Sequence, residues 1–213
     1  MSPRSADPAV RSTLIETAAR ILATDGPTGL TTRRLTADAG TSTMAVYTHF
    51  GSMDELRRAI RAEGFARLAG RLDALPRTSD AVADLAAAGL AYLTSGLAEP
   101  ELYRAMFTDR PPAGDDDAGA GIFERLVDDV TRCVTAGRFH PAGPSLIRAW
   151  AGEVWTLRHG TVTLALTGLL PAEQIRFLLA DMTYRLAVGY GDTPAAAGRS
   201  VTAGTQEQIA PAR

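Results

Sequence analysis

Apolar residues recur at three- and four-residue intervals along most of the chain, and no sustained alternation of apolar and polar positions appears. That periodicity predicts helices and no sheet. Val10, Leu14, Ala18, Ile21 and Leu22 make the buried stripe of a first helix, which Gly26 and Pro27 stop. Thr31 reads as the N-cap of a second helix reaching about Ala39, where Gly40 supplies a residue without a Cβ for the turn. Ser42 caps a third helix, about Thr43 to His49, with Val46 inward and small polar groups at its start. Ser52 and Glu55 form a capping box that opens a fourth helix. Its apolar side runs through Leu56, Ile60, Phe65 and Leu68 to about Leu75, and Pro76 closes it.

Helical spacing continues beyond Pro76. Ser79 and Asp80 cap a helix to about Leu97, and Pro100 starts a short one through Met106 and Phe107. Thr108 to Gly121 is a loop by composition. Further helices span about Ile122 to Ala136, Ser145 to Thr167 and Pro171 to Gly189. The last two are apolar over more than one face: Ile147, Trp150, Val154, Leu157, Val162 and Leu166 on one, Ile175, Leu178, Leu179, Met182, Leu186 and Tyr190 on the other. One stripe suffices for a helix that covers its own core, so the second face predicts a partner, most simply a second copy.

The third helix is too short and polar to stand alone, so a scaffold must hold it with its first turn outward. That is the arrangement of a helix-turn-helix reading a DNA major groove. The chain therefore reads as all-α, with an N-terminal three-helix domain at residues 9–55 and a larger helical domain at 56–190. Residues 1–8 and the Gly/Ala/Thr/Pro-rich tail 191–213 are expected to be disordered.

Charge adds little. The net charge is -2, there is no lysine, and residues 1–75 carry ten arginines against eight acids. The longest strongly apolar stretch, near Val162 to Leu170, is far short of the roughly 20 residues a spanning helix needs. The lone cysteine, Cys133, allows no internal disulfide and fits a cytoplasmic setting. No zinc spacing, phosphate loop or serine-nucleophile motif appears, which predicts no metal, no cofactor and no catalytic residue. Asp115, Asp116 and Asp117 lack the calcium-loop spacing and read as a solvated loop.

Leu30-Thr31, Ala39-Gly40, Ser42, Tyr47-Thr48-His49-Phe50 and Ser52-x-x-Glu55 together resemble the DNA-binding domain of the TetR family of transcriptional regulators, over about Val10 to Ile60. Leu157 to Val162 resembles a segment of one C-terminal ligand-binding subgroup. The resemblance implies an all-helical homodimer, often a repressor released from its double-stranded DNA operator by a small effector. It implies that Thr31, Thr32, Arg33, Thr41, Ser42, Thr43, Met44, Tyr47, Thr48 and His49 meet the DNA. Hydroxyls and helix N-terminal amides suit phosphate oxygens, and Met44 or a Thr methyl suits thymine methyls. Thr43 and Met53 stand where the family often has a basic residue, which predicts a shallow salt dependence with Arg33 and Arg34 supplying much of the charge.

For the effector, Tyr103, Phe107, Phe123, Trp155 and His159 are the candidate contacts. They carry few charges and predict an apolar or aromatic, largely uncharged ligand. Two other readings compete: a helical protein-interaction module, and a DNA-binding regulator without a ligand.

Overall fold

The computed structural model describes residues 7–108 and 119–206, which form ten helices and no strand. The expected loop from Thr108 to Gly121 and the aspartates 115–117 lie almost wholly outside the described residues, as do positions 1–6 and 207–213. Two compact units emerge: residues 1–67 with 99–119, and residues 68–98 with 120–213.

The first unit begins with α1 (Pro8–Gly29), capped by Asp7, whose Oδ1 accepts from the Ala9 amide at 2.9 Å. Gly26, at φ 70° and ψ -173°, interrupts the helix ahead of Pro27. α2 (Thr32–Asp38) and α3 (Thr43–Phe50) follow, then α4 (Met53–Asp73) and α6 (Pro100–Thr108). α1 packs extensively on α6. Leu14, Ile15, Leu22, Leu35, Val46, Leu56, Ile60 and Ala105 share one core. The expected domain boundary after residue 55 falls inside α4, which runs unbroken through it; Leu56 and Ile60 belong to this same core, and the unit extends to Arg67.

The second unit holds the end of α4 with α5 (Ala81–Ala98), α7 (Ala120–Thr135), α8 (Pro144–Leu166), α9 (Ala172–Gly189) and α10 (Pro194–Thr205). Asp80 caps α5, its Oδ1 accepting from the Val82 and Ala83 amides at 3.2 and 3.0 Å. α5 is long and apolar enough by composition to cross a membrane, but half of it is buried inside the unit, as in a core helix.

The tail expected to be disordered from Gly191 instead carries α10. Thr193 caps it, accepting from the Ala196 amide at 3.3 Å, and Pro194 sits in its first turn. Its order comes from distant partners. Arg138 donates to Asp192 at 3.0 and 2.5 Å, to Asp80 at 3.0 Å and to Ser200 at 3.0 Å. The Ser200 hydroxyl in turn donates to Asp80 at 2.7 Å. A sequence poor in large apolar groups is thereby ordered by a charged clamp and by lying chiefly along α5.

Candidate DNA-binding interface and effector residues

Local chemistry shapes the α2–α3 turn. The Thr31 hydroxyl accepts from the Arg34 amide at 3.3 Å. At the other end of α2, the Thr41 amide donates to the Thr36 carbonyl at 3.0 Å and the Gly40 amide to the Ala37 carbonyl. Those two bonds close a left-handed C-terminal cap in which Gly40, at φ 63°, is the residue that can turn without strain. Ser42 then restarts the helix, its Oγ accepting from the Ala45 amide at 3.2 Å.

Two residues anchor α3. Val46 is fully buried and Phe50 nearly so, and burying a side chain of that size stabilises by about 1.5–3 kcal/mol. That exceeds what an eight-residue helix can supply alone. With those two inward, the opposite face is outward: Thr43, Met44, Tyr47 and Thr48 are exposed, Met44 by 73% and Tyr47 by 48%. Thr41 and His49 are half-buried at the edges of that face, Ser42 is exposed at its start, and Thr31 and Arg33 are exposed on α2 beside half-buried Thr32. All ten expected DNA contacts lie on this one helix pair and its turn.

The adjacent arginines differ. Arg34 reaches Asp25 at 2.8 Å and Asp38 at 3.7 Å. Such exposed pairs contribute little stability, but they neutralise the cation. Arg33 is exposed and makes no ion pair among the described residues.

The five effector candidates are shared between the two units. Tyr103 and Phe107 lie in the first unit, with ring centroids 5.1 Å apart, and Phe107 also meets Phe65 edge-on at 5.8 Å. Phe123, Trp155 and His159 lie together in the second unit, with Trp155 6.2 Å from each of the others. Trp155 is 39% exposed, and burial lowers the pKa of half-buried His159 from its ordinary value. Beneath Trp155 lies a small void that Tyr92, Arg125, Asp129 and Arg158 also line. These four were not among the expected contacts. Arg158 left a signal, standing seven residues after Ala151 and four after Val154 on the apolar stripe of α8.

Comparison with known proteins decides the family. The model for bacterial regulatory proteins of the tetR family matches residues 14–60, and the tetracyclin repressor-like C-terminal domain matches residues 85–185. The chain belongs to the TetR family. It is a DNA-binding transcriptional regulator with the family's helix-turn-helix and all-α fold. An uncharacterized HTH-type transcriptional regulator of Mycobacterium tuberculosis, Rv0681, is 29% identical over 84% of this chain and 80% of its own. A protein of unknown function from Rhodococcus sp. RHA1 is 27% identical with a TM-score of 0.71, covering 90% of this chain and all of its own. RolR in complex with resorcinol shares the fold at 16% identity and a TM-score of 0.60, covering 92% of this chain and 94% of its own.

Within that family, α8 and α9 present a further feature. Their outward faces enclose an apolar groove of about 760 Å³, lined by Gly152, Thr156, Gly160, Leu178, Met182 and Leu186 among others. A Cβ added at Gly152 or Gly160 would meet nothing within 4 Å.

Proposed function

We propose that this TetR-family regulator is a cytoplasmic homodimeric repressor, released from its operator by a small, mostly apolar ligand. In this reading Thr31, Thr32 and Arg33 of α2, with Thr41 to Met44, Tyr47, Thr48 and His49 around α3, contact the DNA. The observation that carries it is the capped, outward polar face of α3 with Val46 and Phe50 held beneath. Short hydroxyl side chains let that helix approach base edges closely, and exposed Met44 offers apolar contact to a thymine methyl.

The homodimer is supported by the α8–α9 groove. Its small residues admit a second helix pair at close range, and its Leu178, Met182 and Leu186 need cover from water. The ligand reading is supported by the aromatic group of Phe123, Trp155 and His159. Tyr103 and Phe107 are assigned instead to packing within the first unit, where Tyr103 is buried.

Selection of bound fragments from genomic DNA by the purified full chain tests the proposal. It should recover a palindrome whose half-sites lie about one helical turn, roughly 34–36 Å, or a multiple apart. Recovery of no shared sequence refutes DNA reading by α3. Recovery of single half-sites refutes the dimer. Binding that no compound in a broad panel relieves leaves a regulator without an effector.

A further inference from the structure

Arg158 sits where the pattern of α8 asks for an apolar side chain. It continues the buried run of Ile147, Ala151 and Val154, and only 5% of it is exposed. Among the described residues it makes one hydrogen bond, Nη2 to the Leu85 carbonyl at 2.7 Å. Gly89 leaves it room, since a Cβ there would lie 3.4 Å from Nε. A guanidinium carries five N–H donors, and a buried cation without its full set of acceptors is expensive. A second buried charge lines the same void: Asp129, also 5% exposed. Its carboxylate pairs with Arg77 at 3.8 Å and not with Arg158. Burial lowers the Arg158 pKa to about 10, with the Asp129 charge only partly opposing that, so the group stays cationic at neutral pH.

A second arginine lines the same void. Arg125 donates to the Leu72 carbonyl at 2.6 Å and to Asp73, yet its Nε is buried with no hydrogen-bond partner among the described residues. The void holds about 10 Å³, the space of one water. Trp155 reaches from it to solvent, with the Phe123 ring beside it.

We propose that this void is the head-group subsite of the effector pocket, and that the effector is a monocarboxylate whose apolar body lies against Trp155 and Phe123. The proposal rests on the reading of the chain as a ligand-responsive regulator and narrows the ligand to a class. A planar carboxylate matches the forked donors of a guanidinium, and the charge-assisted bonds are roughly twice as strong as neutral ones. The void as it stands admits one water, so a carboxylate enters only as Trp155 swings outward. Asp129 is the competitor: its buried carboxylate lines the same void, and its charge opposes an incoming anion. The body of the ligand displaces Trp155 outward, so occupancy moves a residue of α8.

The test uses the full chain with Trp150→Phe, which leaves Trp155 as the one tryptophan reporter. Benzoate, phenylacetate and hexanoate are compared with benzamide by thermal shift and tryptophan fluorescence. At least one carboxylate should raise the melting temperature and change Trp155 emission, with benzamide inert. Arg158→Met should weaken that carboxylate by roughly tenfold or more. Asp129→Asn should tighten it and enlarge the thermal shift, because the anion then relieves an uncompensated arginine. A merely structural role for Asp129 would give the opposite, loss of stability without gain of affinity. Benzamide binding as well as benzoate, no carboxylate binding, or unchanged affinity in Asp129→Asn overturns the proposal, the last even where Arg158→Met fails to fold. Operator release, read in parallel by fluorescence anisotropy, is a separate outcome. Carboxylate binding without release leaves the subsite standing and removes the release mechanism.

Discussion

Replacing Arg33 and Arg34 one at a time separates two residues that sequence alone treats as equals. Arg33 is exposed and unpaired among the described residues, whereas Arg34 spends its charge on Asp25 at 2.8 Å and Asp38 at 3.7 Å. In a homodimer, Arg33→Gln removes two phosphate-neutralising cations. Each contributes about 0.9 to the slope of log affinity against log salt, so the slope should become shallower by about 1.8. Raising salt from about 50 to about 200 mM then weakens the wild type roughly twelvefold more than the variant. Arg34→Gln should leave the slope nearly unchanged, since the charge it removes was already balanced on the protein. The measurement is fluorescence anisotropy of a labelled operator duplex at four or five salt concentrations, with circular dichroism to verify folding. Equal slope changes in the two variants, or none for Arg33→Gln, would refute the assignment of Arg33 as the interface cation.

Other outcomes follow from the second unit. Gly160→Arg fits the monomer, because a Cβ there meets nothing within 4 Å, so it should keep its helicity yet elute as a monomer in size-exclusion chromatography; a dimer would mean that the α8–α9 groove is not the interface. Arg138→Ala strips buried Asp192 of its counter-charge and should cost about 3 kcal/mol or more in urea unfolding, since an uncompensated buried carboxylate is left behind. For Asp80, burial alone would raise the pKa, but the Ser200 hydroxyl, the Ala83 amide and the Arg138 guanidinium outweigh it and lower it. A carboxylate with a depressed folded pKa stabilises at pH values above its unfolded range, so the clamp's contribution should fade as pH drops through that range and below, a loss that Asp80→Asn abolishes. Cys133 is fully buried and its thiol is pushed up to about 12, so it should resist thiol reagents at neutral pH until the protein unfolds; rapid labelling of the native protein would contradict this.

Features written in adjacent residues were legible in the sequence. Thr31, Ser42, Ser52 and the Gly26-Pro27 stop each act within a few positions, and each sits in the structure where local chemistry required. Of the ten expected DNA contacts, the arrangement on one surface follows from the same short-range rules. What escaped depends on partners far away. α10 has mostly small side chains, and its order rests on Ser200 meeting Asp80 across 120 positions. Tyr103 and Phe107 fall in one unit and Trp155 in the other, and composition cannot say which unit an aromatic helps to fill. Arg158 was visible as a residue and not as a buried cation, because the cavity it lines is made by the end of α4 with α5, α7 and α8.

The pairing of α10 with α5 also has a consequence in time. α5 begins at Ala81 and α10 at Pro194, so about 110 residues separate the apolar helix from the one that covers it. At about 5–20 residues per second, a ribosome leaves that flank of α5 bare for roughly 5–20 s after it emerges. The second unit therefore finishes folding late, and its nascent form presents a hydrophobic helix to chaperones before the charged clamp of Asp80, Arg138, Asp192 and Ser200 can close.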